Sequence, residues 1–220
     1  MIQDEIKNNK VQYWHASGMS NKKKALIVIP ILIVIVIGII IATPPKEEMA
    51  DIAPPIQKQL IPQENMLYEG KNKEVNITLL AKYTIKAVVK SKKNYNSDSG
   101  AIVSPMDLAL AWGDLNKKEI DKKITYSQRG RWYYYRTSNT SVVSVKDIGT
   151  QSANTHIIPS NEKVLKQLKK IRKNDLIELQ GYLVSVEIYK GQPAWTSSLT
   201  REDIGNHACE IMYVTNVKVY

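Results

Sequence analysis

From Ala25 to Thr43 the chain reads ALIVIPILIVIVIGIIIAT, 19 residues without a charge, of which 14 are Leu, Ile or Val. A helix of that length rises about 28 Å, close to the hydrocarbon thickness of a bilayer. At ~0.3–0.6 kcal/mol per central apolar residue, the run favours insertion by roughly 4–8 kcal/mol. Its many β-branched residues disfavour a helix in water, but in lipid the backbone must satisfy its own hydrogen bonds and the helix prevails. The apolar run is longer than the core of a cleaved signal peptide, and Ile40 stands where a small residue is wanted before a cleavage site, so an uncleaved signal anchor is expected. Lys22, Lys23 and Lys24 precede it directly, which marks that flank as cytoplasmic. Residues 1–24 are then a cytoplasmic tail, 25–43 a transmembrane helix, and the remainder lies outside.

Past the apolar run the pattern changes twice. Residues 44–65 hold Pro44, Pro45, Pro54, Pro55 and Pro62 without periodicity, the composition of a semi-rigid extended stalk. A domain over 66–220 follows. Leu79, Ala81, Tyr83, Ile85, Ala87 and Val89 alternate with Lys82, Thr84, Lys86 and Lys90, the period of a half-buried strand. Ser104-Pro105-Met106-Asp107 has the residue order of a capped helix start, which predicts a short helix ending at Gly113. Ile124–Ser127 and Arg131–Arg136 flank Gln128-Arg129-Gly130 as an aromatic hairpin, and Val142–Val145 reads as a further short strand.

A second helix is predicted from Ser160 to Lys173, with Val164, Leu165, Leu168 and Ile171 on its apolar face. Leu176–Ile188 is the clearest strand. Its apolar phase flips at Gly181, as a bulge or sharp bend requires. Ala194–Leu199 and Glu210–Tyr220 supply the remaining strand segments. The expected fold is therefore α+β: an N-terminal transmembrane helix, then a small antiparallel-sheet domain, barrel-like if the bend curls it, with two short helices.

Composition narrows the chemistry. Lys and Arg number 31 against 21 Asp and Glu, giving a net charge of +10. A single cysteine excludes an intramolecular disulfide, and three histidines leave few soft ligands, so neither a metal site nor a cofactor is expected. Phe is absent and Tyr abundant at 12, so much of the aromatic surface carries a hydroxyl that needs a partner. The positive excess draws the domain to anionic groups. On the outer side these are lipid headgroups, acidic glycans or an acidic envelope protein partner, and the orientation argues against chromosomal nucleic acid.

The densest polar segment is Trp195–Glu210. Trp195 could stack on a ligand, Arg201 clamp an anion, and Ser197, Ser198 and Asp203 complete a binding loop; Arg131 and Trp132 at the hairpin turn join them as ligand- or partner-binding candidates. The plainer alternative is a long loop closed by its own hydrogen bonds, with Arg201 paired to a neighbouring carboxylate. His156, His207 and Cys209 are the catalytic candidates, a thiol with imidazole nearby, although a lone cysteine is more commonly a small hydrophobe.

Five segments together resemble an uncharacterised family of bacterial proteins with one N-terminal membrane anchor: SPMDLALAWG (104–113), ITYSQRGRWYYYR (124–136), SANTHIIPSNEKV (152–164), NDLIELQGYLV (174–184) and WTSSLTREDIGNHACE (195–210). The resemblance covers roughly 83–217. It implies location in the envelope of a Gram-negative-like bacterium, on the inner membrane with a periplasmic C-terminal domain, and brings no catalytic activity. The favoured function is a non-enzymatic binding or assembly module of the cell envelope. The alternatives are an envelope hydrolase using His156, His207 or Cys209, and a single-stranded nucleic-acid binder in DNA uptake.

Overall fold

The structure is a computed structural model. It describes residues 52–190, 192, 194–203, 205 and 208–220. The tail and the apolar run of 25–43 lie outside the described residues, and so does His207. Among the described residues no helix is long and apolar enough to cross a membrane.

Nine strands dominate the described residues: β1 (Ile56–Gly70), β2 (Lys73–Asn94), β3 (Met106–Ala111), β4 (Ile124–Arg129), β5 (Trp132–Thr137), β6 (Ser152–Pro159), β7 (Leu176–Glu187), β8 (Trp195–Thr196) and β9 (Glu210–Val219). The helices are short: α1 (Lys118–Asp121), α2 (Val145–Thr150) and α3 (Glu162–Lys170). The expectation of an α+β domain is thereby corrected to a mostly β one with a seven-stranded sheet.

The pairings close on themselves. β2 pairs antiparallel with β7 through Asn76–Val88 and with β3 through Val88–Asn94. β3 pairs with β6, and β7 with β9, both antiparallel. A parallel β6–β9 pair completes the ring, so the sheet is not purely antiparallel. With α3 between the third and fourth ring strands, this is the topology of a five-stranded OB-type barrel. Met106, Leu108 and Leu110 of β3, and Ala153 and Ile157 of β6, belong to its central core. Strand alternation turns Asp107, Ala109 and Ala111, and across from them His156, Asn154 and Ser152, to the opposite face. A second core lies under the β1–β2 hairpin, around Ile77, Ile158, Val186 and Ile211.

Gly181 shows why β7 carries two apolar phases. Ile177, Leu179 and Leu183 pack in the central core, whereas Val184 and Val186 pack in the second one. The strand does not break at the flip. Its register against β9 shifts between Gln180 and Gly181, where β9 comes so near that a Cβ would lie 1.9 Å from the Tyr213 carbonyl oxygen.

Three local expectations also change. The predicted helix over 104–113 is the fully buried strand β3. Ser104 Oγ donates to the Met106 carbonyl instead of capping, and Asp107 bonds to Arg131 rather than folding back on a helix end. Alternation of Met106, Leu108 and Leu110 therefore outweighs the cap-like residues. The predicted strand at Val142–Val145 gives way to α2, because Ser144 and Asp147 form a reciprocal capping box. The stretch read as stalk ends early, since β1 begins at Ile56 and pairs along β2.

Candidate functional site

The β4–β5 hairpin turns through Gly130 and Arg131, with φ of 58° and 70°, the paired left-handed residues of a type I′ turn. An arginine in that region is strained by about 1–3 kcal/mol unless its surroundings fix it. Here they do. The Arg131 amide donates to Tyr95 Oη at 3.1 Å. Its guanidinium donates to Asp98 Oδ1, Asp107 Oδ1 and the Ser104 carbonyl, each at 2.8 Å. The same group lies 3.7 Å from the centre of the Tyr95 ring. Arg131 is thus a keystone joining the hairpin to the β2–β3 loop, and its donors are already committed.

Asp107, fully buried, faces His156 across the β3–β6 ladder. His156 Nδ1 lies 2.8 Å from Asp107 Oδ1, a close polar contact without an aligned hydrogen bond. The Trp195 ring covers the imidazole at 4.5 Å between centroids. Below them the inner side of the hairpin covers the polar row of β6: Tyr133 Oη donates to Ser152 Oγ, and Gln128 Nε2 to Asn154 Oδ1. Most of the β3–β6 face is therefore roofed.

At the end of the roof a cavity of about 600 Å³ stays open. Trp132, Trp195 and Tyr189 give it aromatic walls, with Asp98, His156 and Cys209 also lining it. The chain brings these together from the β2–β3 loop, the hairpin, β6 and the β7–β9 connection. Five of the residues singled out from sequence meet here: Arg131, Trp132, His156, Trp195 and Cys209. No family model, curated protein or solved structure matches this chain.

Ser197, Ser198, Arg201 and Asp203 do not line the cavity; they wire the β7–β9 connection. Ser197 Oγ accepts from the Ile211 amide, and Ser198 Oγ donates to Asp203 Oδ2 at 2.6 Å. Arg201 pairs with Glu210, a fully buried carboxylate on β9. That is the arrangement of a loop closed by its own bonds, with Arg201 tied to a carboxylate. Among the described residues no group of three or more His, Cys, Asp or Glu side chains could hold a metal ion.

Burial pushes Glu210 up to about 7, against the downward pull of Arg201; Asp203 nearby adds to the rise. Tyr83 also faces the pair. A carboxyl whose folded pKa is raised contributes stability that is complete below the unfolded pKa, near 4.5, and lost as pH rises through about 7. Relative to Glu210→Gln, the melting temperature of the natural chain should therefore fall between pH 5 and 8. A difference that stays flat or rises over that window would remove this assignment.

Burial likewise raises the Cys209 thiol to about 11, although the Asn154 amide approaches Sγ at 3.6 Å and pulls the other way. A thiol held protonated is a poor nucleophile at neutral pH. Native protein at pH 7.5 should alkylate with iodoacetamide far more slowly than the urea-unfolded chain, by at least about tenfold. Equal rates in the two states would show a reactive thiol and revive the hydrolase alternative.

The site roles of Asp107, Asp98, Tyr95, Asn154 and Glu210 escape the sequence analysis, which takes Asp107 as a helix cap and Glu210 only as the end of a polar segment. Asp107 and Glu210 do leave a trace, each a lone acid within an apolar run, MDLALAW and CEIMYV. Tyr95 and Asn154 leave none, because they matter only once distant strands are adjacent.

Proposed function

We propose that this chain is a membrane-tethered, non-enzymatic binding module of the bacterial cell envelope, anchored through residues 25–43 with its barrel on the periplasmic side. The observation that carries the binding reading is the aromatic cavity beside the Arg131 keystone, built from four separate parts of the chain. Barrels of this topology bind oligonucleotides and oligosaccharides over their second and third strands and the loops beside them. That analogy concerns fold alone. In this chain the corresponding β3–β6 face is roofed, which leaves the cavity mouth as the accessible part.

The test is a photoreactive phenylalanine analogue placed at Tyr189, on the cavity rim, and for comparison at Lys163 on α3. Irradiation of intact cells should give a discrete adduct from the rim position and not from the helix. No adduct from Tyr189, or the same adducts from both positions, would sink the reading.

A further inference from the structure

The hairpin that roofs the β3–β6 face has an outer side of its own. Register pairs Arg129 with Trp132, Ser127 with Tyr134 and Thr125 with Arg136, so these six share one face. All six are exposed, Trp132 at 45% and Tyr134 at 51%. Arg129 and Arg136 take part in no ion pair among the described residues, in contrast to Arg131 and Arg201, which are tied to carboxylates. The two rings, Trp132 and Tyr134, thus lie side by side on β5, with Arg129 at one end of the strip and Arg136 at the other. Because Trp132 lies both on this strip and in the cavity wall, the two surfaces are continuous.

We infer that the outer face of β4–β5 is a second part of the binding surface, and that its ligand is an anionic glycan strand running from the cavity over the hairpin. This rests on reading the cavity as a ligand site. The chemistry separates the candidates. Asp98 lines the cavity, and the Arg131 guanidinium beside it is shared with Asp107, a second carboxylate buried behind the wall. Such a wall opposes any anion, phosphate or carboxylate, but accepts hydrogen bonds from sugar hydroxyls through Asp98, whose side chain keeps 38% of its surface open. The strand's own carboxylates therefore belong on the strip and not in the cavity. The exposed rings give a sugar's apolar face a surface to lie on. The two unpaired arginines fit carboxylates carried by the same strand. An oligonucleotide would suit the rings and the strip but would bring phosphates to the acidic wall.

The experiment uses the full chain in detergent and follows tryptophan fluorescence with three probes. Glycan strands released from peptidoglycan carry carboxylates, chitohexaose has a related amino-sugar backbone without them, and a short oligo-dT presents phosphates. The carboxylated strands should bind tightest and lose affinity as salt rises. Replacing Arg129→Ala and Arg136→Ala together should weaken them about tenfold, as two exposed charge contacts allow. Chitohexaose should bind more weakly and be indifferent to that replacement. Equal binding of both glycans, indifference of the carboxylated strands to the arginine variant, tighter binding of oligo-dT, or no glycan binding at all would each overturn the inference. If glycans fail while the Tyr189 adduct persists, the cavity serves another ligand. If both fail, the binding reading falls as well.

Discussion

Replacing Asp107→Ala is expected to destabilise the domain by about 3–5 kcal/mol, the usual cost of removing one partner from a buried ion pair. The carboxylate is fully buried and accepts from Arg131 at 2.8 Å, with the His156 ring against the same oxygen. Without it, Arg131 keeps its charge but retains only Asp98 as an anionic partner, on the more exposed side. The left-handed Arg131 backbone would lose one of the groups that hold it, and the hairpin would be freed from β3. Since a domain is commonly stable by only ~5–15 kcal/mol, much of that reserve would go. Urea unfolding of the full chain in detergent reads the effect. The double variant Asp107→Ala with Arg131→Met should recover much of the loss, because no buried charge is left unpaired and the Asp98 carboxylate it frees is partly open to water. A loss under about 1 kcal/mol for Asp107→Ala alone would mean that the network does not hold the hairpin.

Gly181→Ala should be as damaging for a different reason. Its added Cβ would lie 1.9 Å from the Tyr213 carbonyl oxygen and 3.1 Å from Val214 Cα. Both are backbone atoms, so no rotamer change makes room, and β7 must move away from β9. That pair is one of the five that close the barrel, and the expected loss is about 3 kcal/mol or more. Gly130→Ala is the matched control. It has positive φ but nothing within 4 Å of its Cβ, so it should cost only about 1–2 kcal/mol. Similar melting temperatures for the two variants would contradict the tight crossing of β7 and β9.

Periodicity made some of this architecture legible in advance. The alternation from Leu79 marks β2, the apolar phases around Gly181 mark β7 and its register shift, and α3 follows from helical spacing beneath its lysines. The errors have physical causes. Ser-Pro-x-Asp is compatible with either a helix start or the beginning of a buried strand, and β3 is decided by partners on both sides that lie far away in sequence. β6 carries no strand signal, because SANTH is polar in sequence yet buried under the hairpin, which turns its outward row into a lined interface. The parallel β6–β9 pair has no local signature at all. At the site, Trp195, Trp132 and His156 stood out by residue type. Their meeting depends on a turn in which Arg131, not only Gly130, takes positive φ, and on Asp107, whose apolar neighbours conceal it.

The orientation of the barrel is tested most directly by adding protease to intact spheroplasts of cells producing the full chain with an epitope at each end. The C-terminal epitope should disappear without detergent, while the N-terminal epitope survives on a short membrane-protected fragment. Survival of the C-terminal epitope until detergent is added, or its recovery in the soluble cytosolic fraction, would contradict a periplasmic binding module.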